Sequence, residues 1–214
     1  MTRCTLALLL SLAAPAFANA DEGHGPNSTE GFSHRFTSAA RTPEGTQLAF
    51  HYGLLQPILL GGFNAAMDVR RGRFVATISH GQGLTLPSST LDPAQRDAGV
   101  EARLDWSTGF GLGAVLIDEL YALVDFKVHD VSLTHDEGTL EYRTVTVGLE
   151  LGYRLFLWRG LNVTLALRYW PNVYTGIDRD GVRLGTSDVV HEPVEQGVKG
   201  FFANVLVGWA FDVR

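Results

Sequence analysis

The stretch TLEYRTVTVGLELGYRLFL, residues 139–157, decides the fold. From Thr144 onward its character changes at every second residue. Val145, Val147, Leu149, Leu151, Tyr153 and Leu155 share one face, and Thr144, Thr146, Gly148, Glu150, Gly152 and Arg154 share the other. Period two is the period of a β-strand. The apolar face carries no charge over a length that suits a tilted strand crossing a bilayer. The opposite face is small, polar and charged. A soluble sheet shows water its polar face; here the pattern is read in reverse, with the apolar side on lipid and the polar side lining a barrel interior.

The ends and the composition bound this reading. Residues 1–20 have the form of a secretory signal: Arg3 supplies a positive start, Leu6 to Ala14 a short apolar run, and Ala16-Phe17-Ala18 or Ala18-Asn19-Ala20 a small-x-small cleavage pattern. The run is too short to span a bilayer as a helix. The single cysteine, Cys4, lies inside it, so the processed chain has no thiol to form a disulfide. Mean hydropathy is near zero, and no second long apolar run exists. A membrane protein of this kind must be a closed barrel, because only helices and closed barrels satisfy the backbone in lipid. Loss of Arg3 takes the formal charge from -6 to one unit more negative, an acidic balance that argues against nucleic acid as a partner.

Residues 21–45 read as a loose polar leader holding His24 and His34, and residues 46–214 as the barrel. The predicted strands are 47–55, 59–70, one opening at Arg73, 100–114, 120–129, the quoted stretch, 161–169, and a last one through Ala203, Val205, Val207, Trp209, Phe211 and Val213. In the fourth, Val100, Ala102, Leu104, Trp106, Thr108, Phe110, Leu112 and Ala114 are expected outside. Glu101, Arg103, Asp105, Ser107, Gly109, Gly111 and Gly113 are expected inside, the glycines leaving room for larger side chains opposite. Tight turns fall at 71–72, 117–118 and 158–160. Residues 86–97 and 174–199 are read as loops exposed at the opposite end.

Eight alternating segments, short turns on one side and a terminal strand with Gly208, Phe211 and Val213 resemble the small bacterial outer-membrane barrels of the OmpA/OmpX type. The resemblance covers residues 45–214. It implies an all-β, eight-stranded antiparallel up-and-down transmembrane barrel in a Gram-negative cell envelope. It also implies a monomer among outer-membrane lipids and lipopolysaccharide, inserted by the barrel-assembly machinery that reads the C-terminal strand. The chain departs from that terminal signal by ending in Arg214 instead of an aromatic residue. These motifs are architectural and imply a fold and a location, not an activity.

By parity, the inward acids are Asp68, Glu101, Asp105, Asp125, Glu150 and Asp212, and the inward bases Arg70, Arg103, Lys127, Arg154 and Arg168. An eight-stranded barrel is barely wide enough for its own side chains, so these charges are expected to pair in a packed polar core, not to line a pore. The network assigned is Asp68, Arg70, Arg103, Asp105, Asp125, Lys127, Glu150, Arg154 and Arg168. No catalytic, cofactor-binding or metal-binding residue is assigned.

A lipid A hydrolase would need a Ser/His pair, and Ser79-His80 are neighbours on one strand whose side chains point apart. His129-Asp130 and His135-Asp136 flank an outer turn with metal-capable groups, but their spacing fits an ordinary rim. The sequons Asn27-Ser28-Thr29 and Asn162-Val163-Thr164 are read as chance matches. Strands one and two, joined through Leu55-Gln56-Pro57, leave the wall low beside an apolar edge of Leu54, Leu55, Ile58, Leu59 and Leu60. That edge suits a lateral gate for small hydrophobic molecules, as in OmpW-like barrels. A soluble lipocalin-like barrel is the alternative fold. The expected function is non-enzymatic: a structural or surface-interaction barrel with a packed polar interior.

Overall fold

The computed structural model describes residues 45–183, 189–194 and 200–213. The signal segment, almost all of the polar leader, parts of the 174–199 loop and Arg214 lie outside the described residues. Seven strands follow in order: β1 (Thr46–Gly53), β2 (Phe63–Arg71), β3 (Phe74–Thr85), β4 (Glu101–Ile117), β5 (Leu120–His135), β6 (Gly138–Trp158) and β7 (Leu161–Tyr169). The short strands β8 (Asn172–Thr175), β9 (Val182–Arg183) and β10 (Val190–His191) come next, then β11 (Phe201–Val213). β11 pairs with both β1 and β7, and β5 pairs with β6, so β1 to β7 and β11 close into an antiparallel barrel of eight strands. No helix among the described residues is long and apolar enough to cross a membrane.

Sidedness follows the alternation. On β6, Thr144, Thr146, Glu150 and Arg154 are buried, while Val147, Leu149, Leu151 and Leu155 are exposed. β5 repeats it, with Tyr121, Leu123, Asp125, Lys127 and His129 inside and Val124 and Phe126 outside. Polar groups fill the interior and large apolar ones cover the outside, the sidedness of a transmembrane barrel. One end carries two-residue turns, each using a left-handed residue: Gly72 (φ 56°), Asp118 (φ 50°) and Arg159 (φ 48°). At that end Trp209 meets Trp158 and Phe211 at ring distances of 6.1 and 6.5 Å.

At the other end the pattern inverts. β4, β5 and β6 run for 17, 16 and 21 residues, well past the 8 or 9 of β1, β2 and β7. Above the polar layer the inward positions become apolar. Val131, Leu133, Tyr142, Leu84 and Leu86 join Leu91, Val100, Ala102, Leu104 and Val194 in one buried cluster. The outward positions there become charged, as in the Arg143–Asp130 pair at 2.9 Å. A wall that leaves lipid for water must exchange its faces, since water takes the place of the apolar surroundings.

This inversion corrects the reading of β4. Val100, Ala102 and Leu104 are at most 5% exposed and face in, while Glu101 and Arg103 face out. The register slips between Leu104 and Trp106, which pair with Val131 and Asp130, so Asp105 is the extra residue of a β-bulge. Opposite it, Gly83 (φ 70°) is skipped on β3. One extra residue moves every later side chain to the other face. Deleting Asp105 is expected to turn Val100 and Leu104 toward water and lose about 1.5–3 kcal/mol of burial at each. Limited proteolysis should then cut within residues 86–104, while the lower barrel keeps its heat-modifiable migration.

Two further expectations are corrected. Strand one ends at Gly53, and strand two starts at Phe63. Between them Leu55–Leu60 forms a short helix, α1, ended by Gly61 (φ 68°). Pro57 sits in its first turn, where a missing N–H costs nothing. Gln56 turns inward and accepts a hydrogen bond from Asn64 Nδ2, while Ile58 and Leu59 stay exposed. Residues 86–97 are not simply an exposed loop. They hold a 3-10 turn at Ser88–Thr90 and a second helix, α2 (Pro93–Asp97). The Asp92 carboxylate accepts from the Ala94 amide at 2.8 Å, and Gln95 Oε1 accepts from the Asp92 amide at 3.2 Å. This capping box holds Leu91 and Gln95 against the barrel mouth, both buried.

Candidate functional site

The chemistry-bearing groups stand in a column inside the barrel, in two layers. In the layer nearer the short turns, Asp68 on β2 gathers three basic side chains, His51, Arg154 and Arg70. His51 Nε2 on β1 is 2.6 Å from its Oδ1, and Arg154 Nη2 on β6 donates to its Oδ2 at 2.7 Å. Arg70 Nε lies 3.5 Å from the same Oδ2. Arg70 also donates through Nη1 to Glu119 at 2.7 Å. Arg154 spans the barrel, with its Nη1 3.5 Å from Gln47 Oε1, and Gln47 Nε2 donates to Asp212 at 3.2 Å.

The second layer is built on β5, β6 and β7. Glu150 and Arg168 face each other in register, and Arg168 Nε donates to Glu150 Oε2 at 2.5 Å. Tyr121 donates its hydroxyl to Glu150 Oε1 at 2.9 Å. Lys127 Nζ donates to Ser79 Oγ at 2.5 Å. Asp125 is buried among Glu150, Lys127 and Arg168. The indole of Trp170 roofs this layer, 4.3 Å from Lys127 Nζ and 4.7 Å from the Arg168 guanidinium. Cation–π contact of this kind gains strength when desolvated.

Of the nine assigned network residues, Asp68, Arg70, Asp125, Lys127, Glu150, Arg154 and Arg168 are buried in this column. Arg103 and Asp105 are not. They meet each other at 3.7 Å on the outer surface, with side chains 58% and 44% exposed, because the bulge reverses the faces above it. Glu101 is exposed with them. Several column members lie outside the assigned network. Glu119 is the second residue of a tight turn and reaches back into the barrel. Trp170 follows the last residue of β7, immediately before Pro171. His51, Gln47 and Tyr121 had inward parity, which was the signal available for them.

Glycines on neighbouring strands make space for these side chains. A methyl built on Gly111 would collide with Asp125, one on Gly109 with Lys127, and one on Gly152 with the Tyr121 ring. Gly152→Ala is therefore expected to displace Tyr121 from Glu150 and cost about 1–3 kcal/mol as overpacking. Urea titration in detergent measures this. Combining it with Tyr121→Leu should recover part of the loss.

Ser79 and His80 do not meet. Ser79 faces in toward Lys127, and His80 faces out, its Nδ1 2.6 Å from Thr108 Oγ1. Ser79 and Lys127 are a pair capable of nucleophilic chemistry in principle. Both are buried, and neither lines the cavity of about 20 Å³ in the column, whose volume suits a single water. His129 and Asp130 likewise separate: His129 is buried beside Thr146 at 3.0 Å, and Asp130 pairs outward with Arg143.

Fold and column together define a closed eight-stranded barrel with a packed, ion-paired interior and an apolar exterior. No family model matches the sequence, and no curated protein matches it. Among solved structures the chain is similar to Neisserial surface protein A (NspA), known from a crystal structure. The identity is 10%, 78% of this chain and 94% of that chain are covered, and the TM-score is 0.35.

Proposed function

We propose that this chain is an integral outer-membrane β-barrel with a structural or surface-interaction role and no catalytic one. The observation that carries the reading is the exchange of faces along one continuous wall. Leu149 and Leu151 are exposed beside the ionic layer, whereas Arg103 and Arg143 are exposed beside the apolar cluster. That exchange suits a wall passing from lipid into water, with the β4–β6 extension outside the cell. Ionic pairing below and the apolar cluster above fill the interior, which suits a scaffold better than a channel. The partners proposed are the surrounding lipids, including lipopolysaccharide, and the assembly machinery during insertion, with the barrel monomeric in the membrane. Fractionation tests the location. The protein should sediment with the outer membrane after loss of residues 1–20, and recovery as a soluble protein would contradict it.

A second reading rests on the low side of the wall. A cavity of about 70 Å³ opens between α1 and the apolar cluster, lined by Gln56, Leu60, Leu84, Leu86, Pro87, Leu104 and Phe202. Its lining suits the tail of a small hydrophobic molecule, with Gln56 as the polar contact. Retention of an apolar dye by the folded protein, abolished by Leu60→Trp, would favour this reading over the purely structural one.

A further inference from the structure

Residues 189–194 lie across the open end of the barrel and are fastened from three elements. The Val194 amide donates to the Tyr142 hydroxyl at 2.9 Å, Asn172 Nδ2 donates to the Val194 carbonyl at 3.0 Å, and Gln95 Nε2 donates to the Glu192 carbonyl at 3.3 Å. Val194 is buried in the apolar cluster. His191, three residues earlier in the strap, is 0% exposed, and neither of its ring nitrogens has a hydrogen-bond partner. Its ring stands edge-on to that of His135 at the end of β5, with centroids 6.1 Å apart. His135 Nδ1 is also buried and unpartnered.

Buried polar atoms are nearly always paired, and a cluster of exceptions calls for a ligand, a water or an ion. Here the exceptions include imidazole nitrogens of two histidines whose rings lie edge-on to one another. Neutral imidazole is a ligand for zinc, copper and nickel ions. Two rings bound through nitrogen to one ion at about 2.0–2.1 Å can have centres up to about 6.4 Å apart, and the spacing found falls within that reach. No group of three or more His, Cys, Asp or Glu side chains is gathered as metal ligands among the described residues, so water would complete the coordination. Calcium and magnesium, which take oxygen ligands, do not fit this pair.

We propose that His135 and His191 form a two-imidazole site for a divalent first-row transition-metal ion that ties the 189–194 strap to the barrel wall. Copper(II) should bind most tightly, followed by nickel and zinc. The test uses the full chain folded in detergent and titrated with copper(II), followed by calorimetry and by pulsed electron paramagnetic resonance to count coordinated imidazoles. Wild-type protein should show one site with two imidazoles. His135→Gln and His191→Gln should each weaken it about tenfold or more, while the double variant His24→Gln/His34→Gln should leave it unchanged. A smaller loss in either strap-site variant, a one-imidazole spectrum, or loss of binding in the leader variant overturns the proposal. Should His191→Gln fail to give a heat-modifiable barrel, the partly buried His135 decides through its own variant and the wild-type imidazole count.

Discussion

Glu150→Ala is expected to destabilise the folded barrel by about 3–5 kcal/mol, because it leaves Arg168 charged and buried without its partner. The two stand opposite each other in the β6–β7 register, 2.5 Å apart between Arg168 Nε and Glu150 Oε2, and both are at most 5% exposed. Glu150 also accepts from Tyr121, so its removal undoes two contacts with one change. Removing both Glu150 and Arg168 should cost less than removing Glu150 alone, since no lone charge is left behind. A double-mutant cycle by urea unfolding in lipid vesicles measures the coupling. Additive costs for Glu150→Ala and Arg168→Ala would contradict a paired interior.

Leu149→Arg is the second large effect, expected at about 2–4 kcal/mol if its side chain meets lipid near mid-membrane. Leu149 is 60% exposed and lies between Val124 and Tyr169, both outward-facing. The informative comparison is Glu141→Arg. Residue 141 lies on the same strand and the same outward face, but beside the apolar cluster above the ionic layer. A surface substitution there should stay within about 0.5 kcal/mol. The same chemistry on the same face of one strand thus separates lipid from water by height alone. Equal costs at both positions would remove the boundary between them.

Much of this was legible in the chain, and the reasons are physical. Strict alternation in β5, β6 and β7 placed Asp125, Lys127, Glu150, Arg154 and Arg168 inside. A turn centred near Arg159 pairs residues whose numbers sum to 318 and so sets Glu150 against Arg168; the structure reaches that register through the two-residue turn Arg159–Gly160 and a β-bulge between Phe156 and Trp158. In β4 a β-bulge at Asp105 reverses this parity. Val100 to Ala114 alternate without a break, and a bulge residue looks like any other member of the pattern. The correcting signal lay on the neighbours. Along β5 the inward series runs Asp125, Lys127, His129 and then Val131, Leu133, so the interior changes from polar to apolar at that height, and β4 must follow. The α1 helix was hidden for another reason: Leu54 to Leu60 is too short and too uniformly apolar to show any period. Glu119 and His191 lie in a turn and a strap, where side-chain direction follows no periodicity.

The most direct test of the sidedness uses the absence of cysteine from residues 21–214. Single cysteines placed at Leu112, Leu149, Arg103 and Glu141 can carry a spin label, whose relaxation by dissolved oxygen reports lipid and by a water-soluble nickel chelate reports water. The barrel described here predicts oxygen-dominated relaxation at 112 and 149 and nickel-dominated relaxation at 103 and 141, all on outward-facing side chains. Water access at 112 and 149 in membranes would contradict it and leave an ordinary soluble barrel as the better description.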